Sequence, residues 1–106
     1  MVKKILSAAG FVEGKTFKET RFLKPPNTTY AIFLDSYDRR GSDKRNFIKT
    51  HAYTIELYSY EPDPISEGKV EEQIDAVGLE YEKSERYWLN QEQLYQVIYS
   101  FEFIEK

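Results

Sequence analysis

The segment Leu94 to Ile104 reads as a strand that is apolar on both faces, with Tyr95, Val97, Tyr99, Phe101 and Phe103 opposed to Leu94, Ile98 and Ile104. A strand of this kind has to be covered on both sides, which excludes a sheet open to water on one face. Helices of the same chain can cover one side. The other calls for something more, such as a neighbouring subunit, and Tyr95, Val97, Tyr99 and Phe101 are the candidate interface strand.

The segments upstream supply partners for that strand. Val2 to Ala9 predicts a short helix with Ile5, Leu6 and Ala9 on one side and Gly10 as its stop. Phe11 to Phe22 alternates weakly and is interrupted by Gly14, so it is expected to be extended or irregular. Pro25-Pro26-Asn27 halts regular structure, because proline offers no backbone N–H. Thr28 to Ser36 then predicts a strand, with Tyr30, Ile32 and Leu34 on one face and Ala31 and Phe33 on the other. Tyr37 to Asn46 is polar, contains Gly41 and predicts a hairpin loop. Phe47 to Tyr60 carries the longest strand pattern, in which Tyr53, Ile55 and Leu57 alternate with Thr54, Glu56 and Tyr58.

Glu61-Pro62-Asp63-Pro64 ends that strand and sets up a helix, with Asp63 as N-cap and Pro64 at the first helical position. Ile65 to Val77 predicts the helix itself. Ile65, Val70, Ile74 and Val77 would form its apolar stripe, Glu67, Glu71, Glu72 and Asp75 would lie on or flank the solvated side, and Gly78 would end it. Leu79 to Tyr87 resumes strand alternation, and Asn90-Gln91 marks a turn before the last strand. The expected fold class is α+β: an antiparallel sheet of about four strands packed against two helices, in the order α-β-β-α-β-β.

A chain of 106 residues has room for one hydrophobic core, so residues 1-106 are expected to form a single α+β domain. No apolar run is long enough to span a bilayer, and the start of the chain lacks a signal-peptide pattern, so a cytosolic setting and no membrane partner are expected. Aromatic residues make up 16% of the chain, which suits both core filling and tyrosine-rich interfaces.

Charge is distributed unevenly. Residues 1–50 hold 11 Lys and Arg against 5 Asp and Glu, whereas residues 51–106 hold 4 against 13. Copies meeting head to tail can set a basic surface on an acidic one, which aids encounter and register. The two halves can equally pair within one fold.

Reactive groups are scarce. The absence of cysteine removes disulfides, thiolate nucleophiles and cysteine zinc sites, and His51 is the one histidine. A lone histidine acts as a base only with an orienting carboxylate and a nucleophile beside it. Metal-loop spacings, glycine-rich phosphate loops and paired histidines are absent from the sequence. The expectation is a protein that is not an enzyme and has no catalytic, cofactor-binding or metal residues. Arg39, Arg40, Lys44, Arg45 and Lys49, with Tyr37 and Phe47 among them, form a candidate subunit-interface or anion-contacting loop. Basic residues interleaved with aromatics also suit single-stranded nucleic acid, which makes a small nucleic-acid-binding module the alternative.

Four phrases carry a family resemblance: Pro25-Pro26-Asn27-Thr28-Thr29-Tyr30, Tyr53-Thr54-Ile55-Glu56-Leu57-Tyr58, the acidic helix from Glu67 to Asp75, and the ending Tyr81-Glu82-Lys83-Ser84-Glu85 with Glu92-Gln93-Leu94-Tyr95-Gln96-Val97-Ile98-Tyr99. Their order over residues 25 to 103 resembles the small tail completion, or tail terminator, proteins of long-tailed bacteriophages and prophages. The resemblance implies a structural virion protein that caps the tail tube as a ring of copies, possibly a hexamer, and joins it to the head connector. It further implies tail-tube protein and connector as partners, and a location in the virion tail after assembly in the host cytoplasm. No catalytic residues travel with it.

Overall fold

The computed structural model describes residues 1–40 and 48–105. Val2–Ala8 forms α1, with Val2, Ile5 and Leu6 buried on one side. The helix stops as the sequence predicts. Gly10 takes a φ of 99°, its N–H donates to Ser7 O at 3.1 Å and the Phe11 N–H reaches Leu6 O at 3.0 Å. These paired bonds occupy carbonyls that the helix end would otherwise leave open.

Strand β1, Phe17–Glu19, follows and pairs in parallel with β2, Tyr30–Arg40, with Phe17 opposite Ala31 and Glu19 opposite Phe33. β2 pairs antiparallel with β3, Ile48–Ser59, in a register running from Tyr30↔Tyr58 to Arg40↔Ile48. Helix α2, Pro64–Ala76, comes next, then β4 (Glu82–Lys83), β5 (Tyr87–Leu89) and β6 (Leu94–Glu105). β6 pairs antiparallel with β3 on one side and with both β4 and β5 on the other. The sheet order is β1-β2-β3-β6-β4, with β5 also against β6.

This architecture corrects the expected one. The protein is α+β only in the broad sense; it is mostly β, with six strands in a mixed sheet and the order α-β-β-β-α-β-β-β. Two local causes account for the difference. Phe17 is fully buried against Phe33, at 6.3 Å between ring centroids, and draws its short segment onto the edge of β2 as a parallel strand. The expected strand from Leu79 to Tyr87 is broken at Ser84. There the hydroxyl, rather than the main chain, accepts from Ile98 N–H at 2.8 Å, and the pairing splits into two short pieces on either side. Of the stretch Tyr37 to Asn46 expected as a hairpin loop, Tyr37 to Arg40 belong to β2, and the rest lies outside the described residues.

Both helices lie on one face of the sheet. Val2, Ile5, Leu6, Val70 and Ile74 pack there against Phe17, Ala31, Phe33, Tyr53, Ile55, Leu57, Val97, Tyr99 and Phe101. α2 begins as its sequence dictates: Asp63 accepts from Ser66 N–H at 3.0 Å, from the Ser66 hydroxyl at 2.8 Å and from the Thr29 hydroxyl at 2.7 Å. Asp63→Ala is expected to cost about 1–2 kcal/mol, the upper range for a lost N-cap, because the tie to Thr29 goes with it. Urea unfolding measures this, and Asp63→Asn is expected to recover most of the loss.

The helix stripe differs from the expected one. Ile65 is 72% exposed and Val77 48%, while Glu67 is only 4% exposed and joins Val70 and Ile74 against the sheet. Burial of Glu67 on the inner face is the unexpected feature of this helix.

On the opposite face of the sheet, Tyr30 and Ile32 are buried, and Tyr30 stacks on Tyr58 at 5.1 Å and meets the edge of Phe22 at 5.5 Å. Tyr58, Glu56 and Gln96 share hydrogen bonds across β3 and β6, with Gln96 Nε2 donating to the Tyr58 hydroxyl at 2.9 Å. Burial, followed by the neighbouring Glu56 carboxylate, pushes the Tyr58 hydroxyl well above the ordinary tyrosine range.

Candidate assembly surface

Sheet order separates strands of the two halves of the sequence, although β1 and β2 themselves balance Lys18, Arg39 and Arg40 with Glu19, Asp35 and Asp38. β1 and β2, from the basic half, form one lateral side of the sheet, and β6 with β4 and β5, from the acidic half, forms the other. The segment 79–105 carries Glu80, Glu82, Glu85, Glu92, Glu102 and Glu105 against two cations, Lys83 and Arg86. Both cations turn inward.

Their destination is an ionic network around the buried carboxylate of Glu67, in which Lys83 and Arg86 remain partly exposed. Arg86 forks onto Glu67, with Nε donating to Oε2 at 2.9 Å and Nη2 to Oε1 at 3.1 Å. Lys83 Nζ lies 3.0 Å from Glu67 Oε1 and 2.7 Å from Glu71 Oε2. The Tyr99 hydroxyl, at the centre of the sheet, donates to Glu71 at 2.7 Å. Burial alone would raise the Glu71 carboxyl, but hydrogen bonds from Lys83 and Tyr99 outweigh it and hold the group below its usual range. Burial and then Glu71 drive the Tyr99 hydroxyl far upward, and the hydrogen bond to Glu71 raises Lys83. The carboxylates expected to be solvated on the helix therefore clamp α2 to the β4–β5 edge. Such a saturated set of charges holds structure; every member already has its partner.

The sequence-derived candidates are placed as follows. Val97, Tyr99 and Phe101 are core residues beneath the helices, while Tyr95 is half-buried and its ring meets Trp88 at 4.9 Å. On the other side of β6, Leu94 is buried and Ile98 half-buried, but Ser100 and Glu102 are exposed. Arg39 and Arg40 end β2 and Lys49 lies near the start of β3, so these positions share one end of the sheet. Lys44 and Arg45 lie outside the described residues.

His51 has its carboxylate. Its Nδ1 lies 3.0 and 3.2 Å from the two oxygens of Asp35, and its ring stacks on Tyr53 at 5.5 Å and 8°. Asp35 stands opposite Tyr53 in the register, so the contact is a diagonal cross-strand pair of the kind that fixes two strands together. Among the described residues no three His, Asp or Glu side chains converge on a possible metal position. No described helix is long and apolar enough to cross a membrane.

Two strand edges are open. β1 pairs only as far as Phe33 on β2, and β4 only as far as Ser100 on β6. Beyond those points β2 and β6 continue to Arg40 and Glu105 with no outer strand partner among the described residues. Between the segment from Gly78 to Glu82 and the paired stretches of β3 (Ala52 to Thr54) and β6 (Ser100 to Glu102) lies a groove of about 760 Å³, with Leu79, Tyr81 and Phe101 among its walls and Glu80, Glu82 and Glu102 around it. Sequence reasoning missed this groove, whose only sequence signal is the run of glutamates around Tyr81.

No known family model matches the chain, and no curated protein is similar to it.

Proposed function

We propose that this chain is a structural subunit of a phage or prophage tail, assembling as a ring that caps the tail tube and joins it to the head connector. The supporting observation is a pair of unlike open strand edges on opposite lateral sides of the sheet, β2 beyond Phe33 and β6 beyond Ser100, the second within the glutamate-rich segment 79–105. A surface of this type meets its complement on another copy by rotation rather than by a two-fold axis, and such heterologous contacts close into rings. The tail-specific role comes from the resemblance in the sequence.

Native mass spectrometry and negative-stain microscopy test the reading, on the purified protein alone and mixed with tail-tube and connector proteins from the same genome. A closed ring of uniform stoichiometry, recovered at tube ends, is the expected result. A monomer in every mixture, with neither protein captured, would overturn it. Steeply salt-dependent binding of single-stranded DNA under those conditions would point instead to the nucleic-acid module.

A further inference from the structure

Charges without an ion-pair partner sort onto two separate surfaces. Lys15, Lys18, Arg21 and Lys24 are exposed, and none of them forms an ion pair among the described residues. Segment 14–24 sets only Glu19 against them. On the other lateral side Glu80, Glu82 and Glu102 are exposed and form no ion pair among the described residues either. Lys83 and Arg86, which share that side, are committed to Glu67 and Glu71. Each surface also carries an apolar element. Leu23 is 80% exposed and stands between Arg21 and Lys24, whereas the groove among the three glutamates is walled by Leu79, Tyr81 and Phe101.

An apolar side chain held in water gains by burial, and complementary charges around it steer the encounter and fix its register. We infer that Leu23 of one copy seats in the groove of the next, with Arg21 and Lys24 set against Glu80, Glu82 and Glu102. A groove of about 760 Å³ has room for the leucine and for the aliphatic stems of both cations. The inference names a contact for the ring reading and rests on that reading for the premise that copies meet head to tail.

Leu23 does not serve the groove of its own copy. The groove lies on the helix-bearing face, where the Tyr81 ring meets Tyr99 at 5.8 Å and Leu79 packs against the core. The chain leaves β1 toward the other face. Thr20 N–H is tied to Phe33 O at 2.9 Å on the edge of β2, and the Phe22 ring meets Tyr30 at 5.5 Å. Leu23 follows directly, on the lateral side of the sheet away from β4. Knob and groove are therefore different surfaces, and a contact between them repeats from one copy to the next.

The chain has no cysteine, so disulfide trapping between single-cysteine variants reads the contact directly. L23C and E80C change exposed positions and keep the fold, which circular dichroism verifies. I65C is the control, since Ile65 is exposed at the end of α2 away from the groove. Mixed at micromolar concentration and low ionic strength under oxidation, L23C and E80C are expected to join at least about ten-fold faster than L23C and I65C. Thiols held in one contact meet at an effective concentration on the order of millimolar. Salt should reduce the excess. Adding R21E/K24E to L23C, or E82K/E102K to E80C, should abolish it, and mixing the two reversed proteins should restore it. Joining of L23C to E80C no faster than to I65C would overturn the inference, whether or not rings form at tube ends. Joining that both reversals leave unchanged would overturn it as well. A charge-dependent heterodimer from copies that cap no tail tube would uphold the contact and remove the tail role.

Discussion

Phe17→Ala is expected to remove about 3–5 kcal/mol of folding stability, the range for truncating a fully buried phenylalanine. A domain of this size has about 5–15 kcal/mol in total, so the variant should be near the limit of folding at physiological temperature. The reason lies in what Phe17 does for β1. That strand has only three residues, and Lys18 and Glu19 are exposed. Its hold on β2 thus consists of a few main-chain bonds and one ring fully enclosed among Phe33 and the helix residues. Removing the ring opens a cavity beneath α1 and releases the strand at once. Thermal unfolding is the measurement: a fall of about 12 °C or more is expected, at roughly 4 °C per kcal/mol or above for such a domain. Val12→Ala, at an exposed position in the preceding turn, serves as the control and should stay within about 0.5 kcal/mol. A loss for Phe17→Ala no larger than the control's would mean that β1 does not belong to the core.

The same strand shows where the sequence becomes hard to read. Elements with strong local signals were legible: α1 with Gly10 behind it, α2 with Asp63-Pro64 before it and Gly78 after it, and the long alternation of β2, β3 and β6. Each is specified by neighbours within a few positions in the chain. β1 has no such signal, because three residues are too few for an alternation to emerge, and it is bracketed by Gly14 and Thr20, both at positive φ. Its partner is chosen by the burial of Phe17, a long-range event. The expected strand after Leu79 failed for the opposite reason. Alternation was present, but at Ser84 the hydroxyl replaced the carbonyl as acceptor for Ile98 N–H while the Ser84 N–H kept its bond to Ile98 O, and Arg86 was drawn toward Glu67.

Burial of Glu67 was within reach of the sequence. It lies three residues before Val70 and seven before Ile74, the spacing of one helix face, whereas Ile65 lies five before Val70 and falls on the far side at 100° per residue. Residue type pointed one way and periodicity the other, and periodicity prevailed because Arg86 and Lys83 supplied the charge that a buried carboxylate requires. The candidate interface strand illustrates the converse. A doubly apolar pattern reports that both faces are covered without saying by what, and helices of the same chain cover Val97, Tyr99 and Phe101. The charge split was visible as numbers along the chain, but its meaning depended on the sheet order, which no local pattern contains.

The network around Glu67 yields the second large effect. Arg86→Met leaves Glu67 buried with Lys83 as its remaining cation, and is expected to cost about 2–3 kcal/mol; Arg86→Met with Lys83→Met removes both cations and should cost about 3–5 kcal/mol. Replacing the pair together, Glu67→Met with Arg86→Met, is expected to cost less than Arg86→Met alone, because an apolar side chain in that site needs no counter-charge. A double-mutant cycle by urea unfolding measures the coupling between the two positions. Simple addition of the two single effects would show that Glu67 draws nothing from Arg86. The alkaline limb examines the same network from the other side. Tyr99 and Lys83 have raised folded values, so their contribution is fully present below the unfolded values, near pH 10, and is lost as pH rises through the folded ones. Glu71, held low, gives the mirror image: its contribution is present above about pH 4 and is lost as pH falls through the folded value. Tyr99→Phe should flatten the alkaline loss and reduce the acid one without abolishing it, because Glu71 loses the Tyr99 hydrogen bond but keeps Lys83 at 2.7 Å.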